Sequence, residues 1–376
     1  MSLGNATRMM SQTVLIIIAA GFCHCSNPAN TEPQVRLVVS YNPYAGVDWT
    51  TWQRCLSQHH DHTNVEEAKI RDYDGAGYQA IPLLHYSGVK SLTYTRKERL
   101  WPLSKFLKKY PSDEAFLSTL QNAKFFIPSM EEVGRHHMTS PFLLDYLELY
   151  EPHLDSQWQP WQYRSNQELI DLIAQHRGLA LIAHPTESFD LYQSLSGFHG
   201  LEVYSAAMNY NFITGKIGQN KNAHFIRVWD DLLSKKSTRI FGYAVNDWYG
   251  PFNREVRETH PRIYDSGKTL ALLENYSLEA YRRSLEQGSF FAIMDTGMVK
   301  GNCPQIQEIT ASPDSISISA VNGNVHWIFK GEVIQSGSTL SLDNLPSGMN
   351  YVRAEVRNEN CTVFVQPFTL SPATRE

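Results

Sequence analysis

Two histidines separated by one residue stand early in the chain, in the run QHHDHT, and form the H-x-H pair His60 and His62. On an extended strand, residues i and i+2 project to the same face, so two imidazoles can reach one cation. The pair alone is a weak signal, because this spacing often arises by chance. His59, directly before the pair, is expected on the opposite face of the strand.

Further side chains of the types that bind metals follow short apolar runs. Each is a histidine or an acid just after such a run: His85 after YQAIPLL, Glu131 after KFFIPSM, His184 after LALIA and Asp247 after RIFGYAVN. Imidazole and carboxylate groups suit Zn, Mn or Fe, among which sequence cannot choose. We therefore predict a metal ligand just past the C-terminal end of each of four strands.

The elements that would position these residues alternate between about residues 35 and 300. Strands are predicted at Val35–Ser40, Tyr78–Leu84, Lys124–Pro128, Leu179–Ala183, Leu201–Tyr204 and Arg239–Val245. A helix is predicted over Ser165–Arg177, with Ser165 as N-cap, Glu168 closing a capping box and Gly178 as the stop. Alternating strands and helices predict an α/β layered or barrel fold, in which functional residues collect at the C-terminal ends of the strands.

The pattern changes after about residue 302, where short alternating runs are separated by NGN, SGS and PSG turns. These runs are Ser315–Ala320, His326–Lys330, Thr339–Leu342, Tyr351–Val356 and Thr362–Gln366. They predict a small all-β sandwich over residues 301–376. A continuation of the first domain's sheet is the alternative, less favoured because no helix intervenes.

The first residues have the character of a targeting segment. Val14–Phe22 is an unbroken apolar stretch of signal-peptide length, too short for a stop-transfer helix, and it precedes Cys23 and Cys25. We expect a signal peptide over residues 1–25, with one of these cysteines lipidated or neither, and a linker over residues 26–34. A buried N-terminal strand is the alternative. The expected location is periplasmic, extracellular or lipid-anchored at the cell envelope.

Composition excludes several classes of protein. The 376 residues are 42% hydrophobic and 19% charged, which is too apolar for a disordered chain. A net charge of −5 argues against an extended nucleic-acid footprint. No apolar run reaches the ~20 residues of a membrane-spanning helix.

Cys303 and Cys361 either pair in an oxidising compartment or remain two free thiols.

Several of these motifs, taken in order, resemble the PHP (polymerase and histidinol phosphatase) domain. They are HHDHT, IPSMEE followed by RHHM, GLALIAHP, GLEVY and FGYAVND, which span roughly residues 55–297. The run SLEQGSFFAIMDTG with the later YVRAEV is similar to an exported branch that carries a C-terminal β-sandwich. The resemblance implies a distorted (β/α)7 barrel over residues 35–300 and a cluster of divalent metals.

The resemblance also implies two overlapping sets of ligands. The first metal would be held by His60, His62, Glu131 and Asp247, and the second by Glu131, His184 and one of His136 and His137. His137 is favoured because it stands directly before the apolar Met138. A third site would need His85 together with residues that are replaced here by Leu84 and Tyr249. We therefore expect two metals, with His85 behind the ligands or a weak third ligand.

These ligands predict a metal-dependent hydrolase acting on a small-molecule phosphoester, since paired cations can activate water and stabilise phosphoryl charge. Asp247, His85 and Arg135 are candidates for proton transfer or anion contact. Glu202 is expected either behind the ligands in the barrel interior or on the surface. The alternatives are amide, carbamate or ester hydrolysis by the same metals, and a surface protein that binds metal or ligand without catalysis.

Overall fold

The computed structural model describes ten stretches of the chain. These are residues 36–62, 67–87, 113–132, 137–143, 165–236, 239–248, 265–296, 302–343, 345–346 and 348–373, without the side chains of 85–87, 113 and 132. The expected signal peptide and linker, Arg135, His136 and Tyr249 lie outside these stretches. Within them, no helix combines the length and apolarity needed to cross a membrane.

Strands and helices alternate through the first two thirds of the described chain. The order begins β1 (Leu37–Tyr41), β2 (Gln53–Ser57), α1 (Glu67–Ala76), β3 (Ala80–Ser87), α2 (Asp113–Leu117), β4 (Phe125–Glu132), β5 (Met138–Pro141), α3 (Asn166–Gln175) and β6 (Leu181–Ile182). It continues α4 (Phe189–Ser194), β7 (Gly200–Ser205), α5 (Ala206–Ile213), α6 (Asn222–Lys235), β8 (Phe241–Val245), β9 (Gly267–Leu273), α7 (Leu278–Gln287) and β10 (Phe290–Asp295). The predicted mixed α/β class is confirmed.

The remaining elements are all strands. They are β11 (Gln305–Ala311), β12 (Ser315–Val321), β13 (Asn324–Phe329), β14 (Glu332–Ser336), β15 (Thr339–Ser341), β16 (Tyr351–Arg357) and β17 (Cys361–Pro372). Each of the five strands predicted in this region is present. Turn residues between short alternating runs were sufficient to locate them.

One large mixed sheet carries most of the strands, in the order β14-β13-β16-β17-β10-β9-β2-β3-β4-β5-β6-β7-β8, with β1 paired to β17. Pairing is parallel from β2 to β4 and from β6 to β8, and β5 is an antiparallel insertion between these groups. Every residue of β7 and β8 is buried, as expected for parallel strands covered on both faces.

The strands β8 and β9 meet through close backbone contacts, although no ladder joins them in this sheet order. The amide of Gly267 donates to Asn246 Oδ1 at 3.0 Å, and Thr269 Oγ1 lies 3.4 Å from the carbonyl of Ala244. A Cβ atom at Gly267 would lie 2.0 Å from the carbonyl oxygen of Val245, so only glycine permits this approach. The closed (β/α)7 barrel stays a prediction.

The predicted helix around residue 170 is confirmed as α3. Ser165 accepts from the amide of Glu168 and Glu168 accepts from the amide of Ser165, which completes the expected capping box. The helix does not end through Gly178 as predicted. Arg177, at φ 62°, takes the left-handed conformation, and Gly178 is needed for space because a Cβ there would lie 2.2 Å from Ser140 Oγ.

The C-terminal strands continue the large sheet rather than standing apart from it. Strand β17 pairs with β10, placing Val365 opposite Phe291, and β16 and β13 extend the same ladder. Antiparallel neighbours need no helical crossover, so the missing helix did not argue against continuation. The boundary expected near residue 300 falls outside the described residues, and a separate C-terminal sandwich stays a prediction.

A second sheet, in the order β11-β12-β15, packs onto these strands. Ile309, Ile318 and Leu340 of the second sheet share a buried apolar cluster with Trp327 and Val363 of the large sheet. Beside this cluster, Cys303 and Cys361 form a disulfide, which decides between the two alternatives left open by the sequence. Cys55 is a buried free thiol.

Candidate metal centre

The candidate ligands come from four places along one edge of the large sheet. His60 and His62 follow β2, Glu131 lies near the end of β4, His184 follows β6, and Asp247 follows β8. The carboxyl ends of parallel strands meet at one edge, so residues distant in sequence converge there. The expectation that every ligand follows its strand was wrong for Glu131 and His85, because β3 and β4 stay paired as far as Ser87 and Glu132.

The first group of converging side chains is fully buried. His60, His62, Glu131 and Asp247 each offer a ligand atom, and these atoms all lie within 4.8 Å of one another. Asp247 Oδ1 lies 3.3 Å from His60 Nε2 and 3.1 Å from His62 Nε2. Two donors bound at about 2.1 Å to one tetrahedral ion are about 3.4 Å apart. This group could therefore hold a metal ion.

The second group lies on the other side of Asp247 and Glu131. His184 Nε2 is 2.8 Å from Asp247 Oδ2, and His137 Nδ1 is 3.8 Å from Glu131 Oε1. The rings of His137 and His184 lie edge to face, with centroids 5.4 Å apart and an angle of 64° between their planes. Asp247 thus points one oxygen toward each group, whereas Oε1 of Glu131 lies between the two groups, 3.5 Å from His60 Nε2 and 3.8 Å from His137 Nδ1.

Glu202 lies behind the ligands, which decides between the two positions expected for it. Its Oε1 is 2.5 Å from His60 Nδ1, and its Oε2 accepts from the amide of His184 at 2.9 Å. Since Nδ1 of His60 is engaged by Glu202, Nε2 is the nitrogen that faces the cluster. A carboxylate that orients a ligating imidazole in this way fixes its tautomer and raises its basicity.

The charged side chains of the site shift one another's pKa values. Burial lowers the pKa of His60, but Glu202, Asp247 and Glu131 together raise it well above its ordinary value. Burial also opposes the charged form of His184, yet Asp247 and Glu202 raise its pKa to about 9. Burial raises the pKa of Asp247, but the imidazoles of His184 and His60 lower it by more than burial raises it. The pKa of Asp247 therefore lies well below its usual range.

The pKa of His137 is shifted downward, unlike those of His60 and His184. Burial and the neighbouring His184 lower its pKa, with Glu131 opposing them. For Glu131, burial raises the pKa, but His62 and His60 lower it by a larger amount. The net pKa is lowered, and the carboxyl stays ionised. A neutral imidazole beside an ionised carboxylate is the state that binds metal directly.

Backbone geometry at two ligands supports a built site. His184 and Asp247 have φ values of 41° and 53°, in the left-handed region that non-glycine residues rarely adopt. The amide of Asp247 donates to the carbonyl of His60 at 3.0 Å, and the amide of Ala183 donates to the carbonyl of His137 at 2.9 Å. These bonds hold strained residues in place, and such strain is concentrated at functional sites.

Sequence reasoning missed a buried brace beneath the H-x-H pair. Asp61 Oδ1 accepts from the amide of Trp248 at 2.7 Å, and Lys69 Nζ donates to the carbonyls of both His62 and Trp248. The brace joins the loop after β2 to the loop after β8. A lysine seven residues after an H-x-H pair gives no recognisable signal, because most lysines in helices are exposed.

The other predicted site residues are placed as follows. His59 is buried outside the cluster with its ring edge-on to Tyr243 at 4.9 Å, and burial together with His60 lowers its pKa to about 3. The backbone of His85 lies in β3, and its side chain falls outside the description, as do all of Arg135 and His136. Asp295, Cys303 and Cys361 also lie close together, but the two sulfurs are bonded to each other.

Comparisons with protein families and with curated proteins find no match. Among solved structures, this chain is similar to a two-domain protein from Bacteroides vulgatus ATCC 8482 that contains a predicted PHP-like metal-dependent phosphoesterase. The TM-score is 0.42 and the identity is 12%, over 92% of this chain and 100% of that chain.

Proposed function

We propose that this chain is a metal-dependent phosphoesterase that works outside the cytoplasm with two divalent ions per chain. The observation that carries the proposal is the buried convergence of His60, His62, Glu131 and Asp247, with His184 on the far side of the same aspartate. The order of the motifs, which resembles the PHP domain, favours a phosphoester over an amide, carbamate or carboxylic ester.

The residues present fit divalent cations. Both carboxylate oxygens of Glu131, His60 Nε2 and His137 Nδ1 are buried and make no hydrogen bond among the described residues. These atoms have ion-pair neighbours at 3.3–3.8 Å but no hydrogen bond within the described stretches, and leaving buried polar atoms in that state is costly, which supports a bound species. Histidine and carboxylate ligands suit Zn, Mn or Fe.

The first ion would be held by His60, His62, Glu131 and Asp247, and the second by Glu131, Asp247, His184 and His137. Bound together, two such ions lower the pKa of water and offset the charge that develops on phosphoryl oxygens. Other residues of the chain hold these candidate ligands in position. Glu202 keeps Nε2 of His60 facing the cluster, and the brace of Asp61 and Lys69 holds the loops that carry His62 and Asp247.

Asp247 remains ionised at any physiological pH because its pKa is held low by the imidazoles of His184 and His60. It is therefore suited to holding cations, and a part in proton transfer remains a proposal. Arg135 and His85 remain proposals for anion contact and proton transfer. Work outside the cytoplasm is supported by the disulfide between Cys303 and Cys361, since such bonds persist in oxidising compartments.

The test is metal content followed by turnover. The chain purified without chelator, or reconstituted with Zn, Mn or Fe, should hold two ions by elemental analysis and hydrolyse aryl phosphates. The double variant His60→Ala/His62→Ala should lose at least one ion and most activity. The matched control is His176→Ala/His326→Ala, which removes two imidazoles outside the cluster and should change neither.

The outcomes separate the candidate functions. Failure of the reconstituted wild-type chain to bind any of the three metals would overturn the metal-dependent reading. Full metal loading with hydrolysis of aryl carbamates or carboxylic esters, but not of phosphates, would reassign the substrate class. Metal loading without turnover of any ester would leave a binding protein.

A further inference from the structure

A cavity of about 220 Å³ opens beside the candidate metal centre. Its wall includes His137 and His184, so it adjoins the side of the cluster proposed for the second ion. Much of the remaining wall is apolar or aromatic and consists of Met138, Ile182, Ala183, Tyr192 and Met208. A molecule with its reacting group at the cluster would extend its other part into this space.

Asn166 also lines the cavity, and it has an unusual feature. It is the first residue of α3 and only 8% exposed, and its Nδ2 is buried with no hydrogen-bond partner among the described residues. An unpaired buried donor costs about 1–3 kcal/mol. The amide is therefore expected to gain a partner in the functional state.

Three other buried amides of the described chain have a partner for their side-chain nitrogen. Asn222 Nδ2 donates to the carbonyl of Ser205 at 3.2 Å, Asn246 Nδ2 to the hydroxyl of Tyr73 at 3.2 Å, and Gln366 Nε2 to the carbonyl of Gly242 at 2.8 Å. Each serves to join two elements. Asn166 lacks such a structural role for its Nδ2, and it faces the cavity next to the cluster.

We propose that the cavity takes the alcohol part of the phosphoester and that Asn166 selects it by donating from Nδ2 to an oxygen on it. The inference rests on the proposed function. Cavities of about 150 Å³ lined by apolar groups accept benzene, so 220 Å³ has room for one ring with a small substituent. The wall chemistry suits a largely apolar ring that carries one hydrogen-bond acceptor.

The charges of the lining residues further restrict the chemical class of the alcohol part. Among the described lining residues the only acid is Glu187, an exposed residue, and no lysine or arginine is present. A second phosphate or a carboxylate on the alcohol part would meet an acid with no balancing cation in this wall. The wall therefore argues against an anionic group on the alcohol part.

The experiment compares two aryl phosphates of similar shape, 4-acetylphenyl phosphate and 4-isopropylphenyl phosphate. Only the first carries an acceptor oxygen on its ring substituent. The quantity of interest is the ratio of their kcat/KM values in Asn166→Leu divided by the same ratio in the wild-type chain, because leaving-group reactivity then cancels. Loss of one hydrogen bond to the amide should lower this ratio about tenfold.

Two further variants guard against a trivial result. Asn166→Asp keeps the size of the side chain and introduces an acid, which a helix N-terminus tolerates, but it removes the donor, so it should also lower the ratio. Gln175→Leu makes the same amide-to-leucine change at the exposed end of α3 and should leave it unchanged. Equal ratios in the wild-type chain and both Asn166 variants would overturn the inference.

A binding measurement separates failure of this inference from failure of the proposed function. Calorimetric titration of the metal-loaded chain with 4-hydroxyacetophenone and 4-isopropylphenol needs no turnover. The wild-type chain should prefer the ketone, and Asn166→Leu should lose that preference. If neither ester is hydrolysed but this preference appears, the phosphoesterase proposal fails and the cavity assignment stands. If neither phenol binds, or Asn166→Leu keeps the wild-type preference, the cavity assignment fails.

Discussion

Glu202 acts at the cluster only through the residues that it contacts. It lies behind His60 and His184, accepts from one ring and one backbone amide, and is fully buried. Because it engages Nδ1 of His60, it decides which nitrogen faces the cluster. Its role is therefore that of a positioning residue, and this makes a specific prediction about metal affinity.

Replacing Glu202 by Gln should weaken metal binding 10–100-fold without unfolding the chain, because the neutral amide orients His60 less firmly. The same change removes the carboxylate that chiefly raises the pKa of His60, so that pKa should fall. Metal titration measures the first effect, and NMR titration of the metal-free protein measures the second. An unchanged His60 pKa would contradict this role.

The pKa of His184 predicts a pH dependence of stability in the metal-free protein. Its folded value of about 9 exceeds the ordinary value of 6.5, since Asp247 and Glu202 outweigh burial. Raised pKa values stabilise the fold fully below the unfolded value, and the stabilisation is lost as pH rises through the folded value. Up to about 3 kcal/mol should therefore disappear between pH 6.5 and 9.

Urea unfolding at a series of pH values checks this expectation. His184→Gln should flatten the curve, because the titrating imidazole is gone. Metal loading should also flatten it, since bound cations replace protons at the ligands. A wild-type stability that rises from pH 6.5 to 9 in the metal-free protein would show that the sign is wrong.

At the scale of elements, a buried ion pair joins α6 to β16. Arg353 donates to both carboxylate oxygens of Asp230 at 2.7 Å and to Glu355 at 2.5 Å, and its guanidinium lies 4.9 Å from the centre of the Trp229 ring. Tyr351 also donates to Asp230 at 3.0 Å. The network ties the helix that covers β7 to a C-terminal strand of the same sheet.

Asp230→Ala should destabilise the chain by about 3–5 kcal/mol, because it leaves a buried guanidinium without its bidentate partner. Asp231→Ala is the matched control, since the neighbouring carboxylate is exposed and should matter by no more than about 0.5 kcal/mol. The double variant Asp230→Leu/Arg353→Met should recover most of the loss. The denaturant midpoints of the variants measure these losses of stability. Similar losses in Asp230→Ala and Asp231→Ala would contradict the network's role.

At the scale of the whole molecule, β17 is the strand that joins the first described strand to the C-terminal part of the large sheet. It pairs with β1, β10 and β16, and its first residue, Cys361, is bonded to Cys303. Residues 35–376 accordingly form one compact unit. The disulfide closes a loop of 58 residues that contains strands β11 to β16.

Removing the disulfide with Cys303→Ser/Cys361→Ser should cost about 4 kcal/mol, from the chain entropy that a loop of this length regains on unfolding. Guanidinium unfolding with and without a dithiol measures it. Reductant should lower the midpoint of the wild-type chain to that of the variant, and should leave the variant unaffected. A reductant effect on the variant of similar size would show that the loss arises elsewhere.

The sequence by itself was enough for local structure. Ser165 and Glu168 predicted a capping box because both partners lie within one helical turn, and the helix is present. Apolar runs predicted β7 and β8, whose residues are buried on both faces. The types of the candidate ligands were also readable, because imidazoles and carboxylates after apolar runs are rare enough to be noticed.

Only the tertiary structure decided which of these groups meet, and on which side. Glu202 could not be assigned from GLEVY, since its neighbours His60 and His184 are 142 and 18 residues away. The same limit hid the continuation of the sheet through β10 and β17, the brace on Lys69 and the unpaired amide of Asn166. Local patterns record what a residue and its chain neighbours prefer, whereas contacts between distant segments depend on how the whole sheet is ordered.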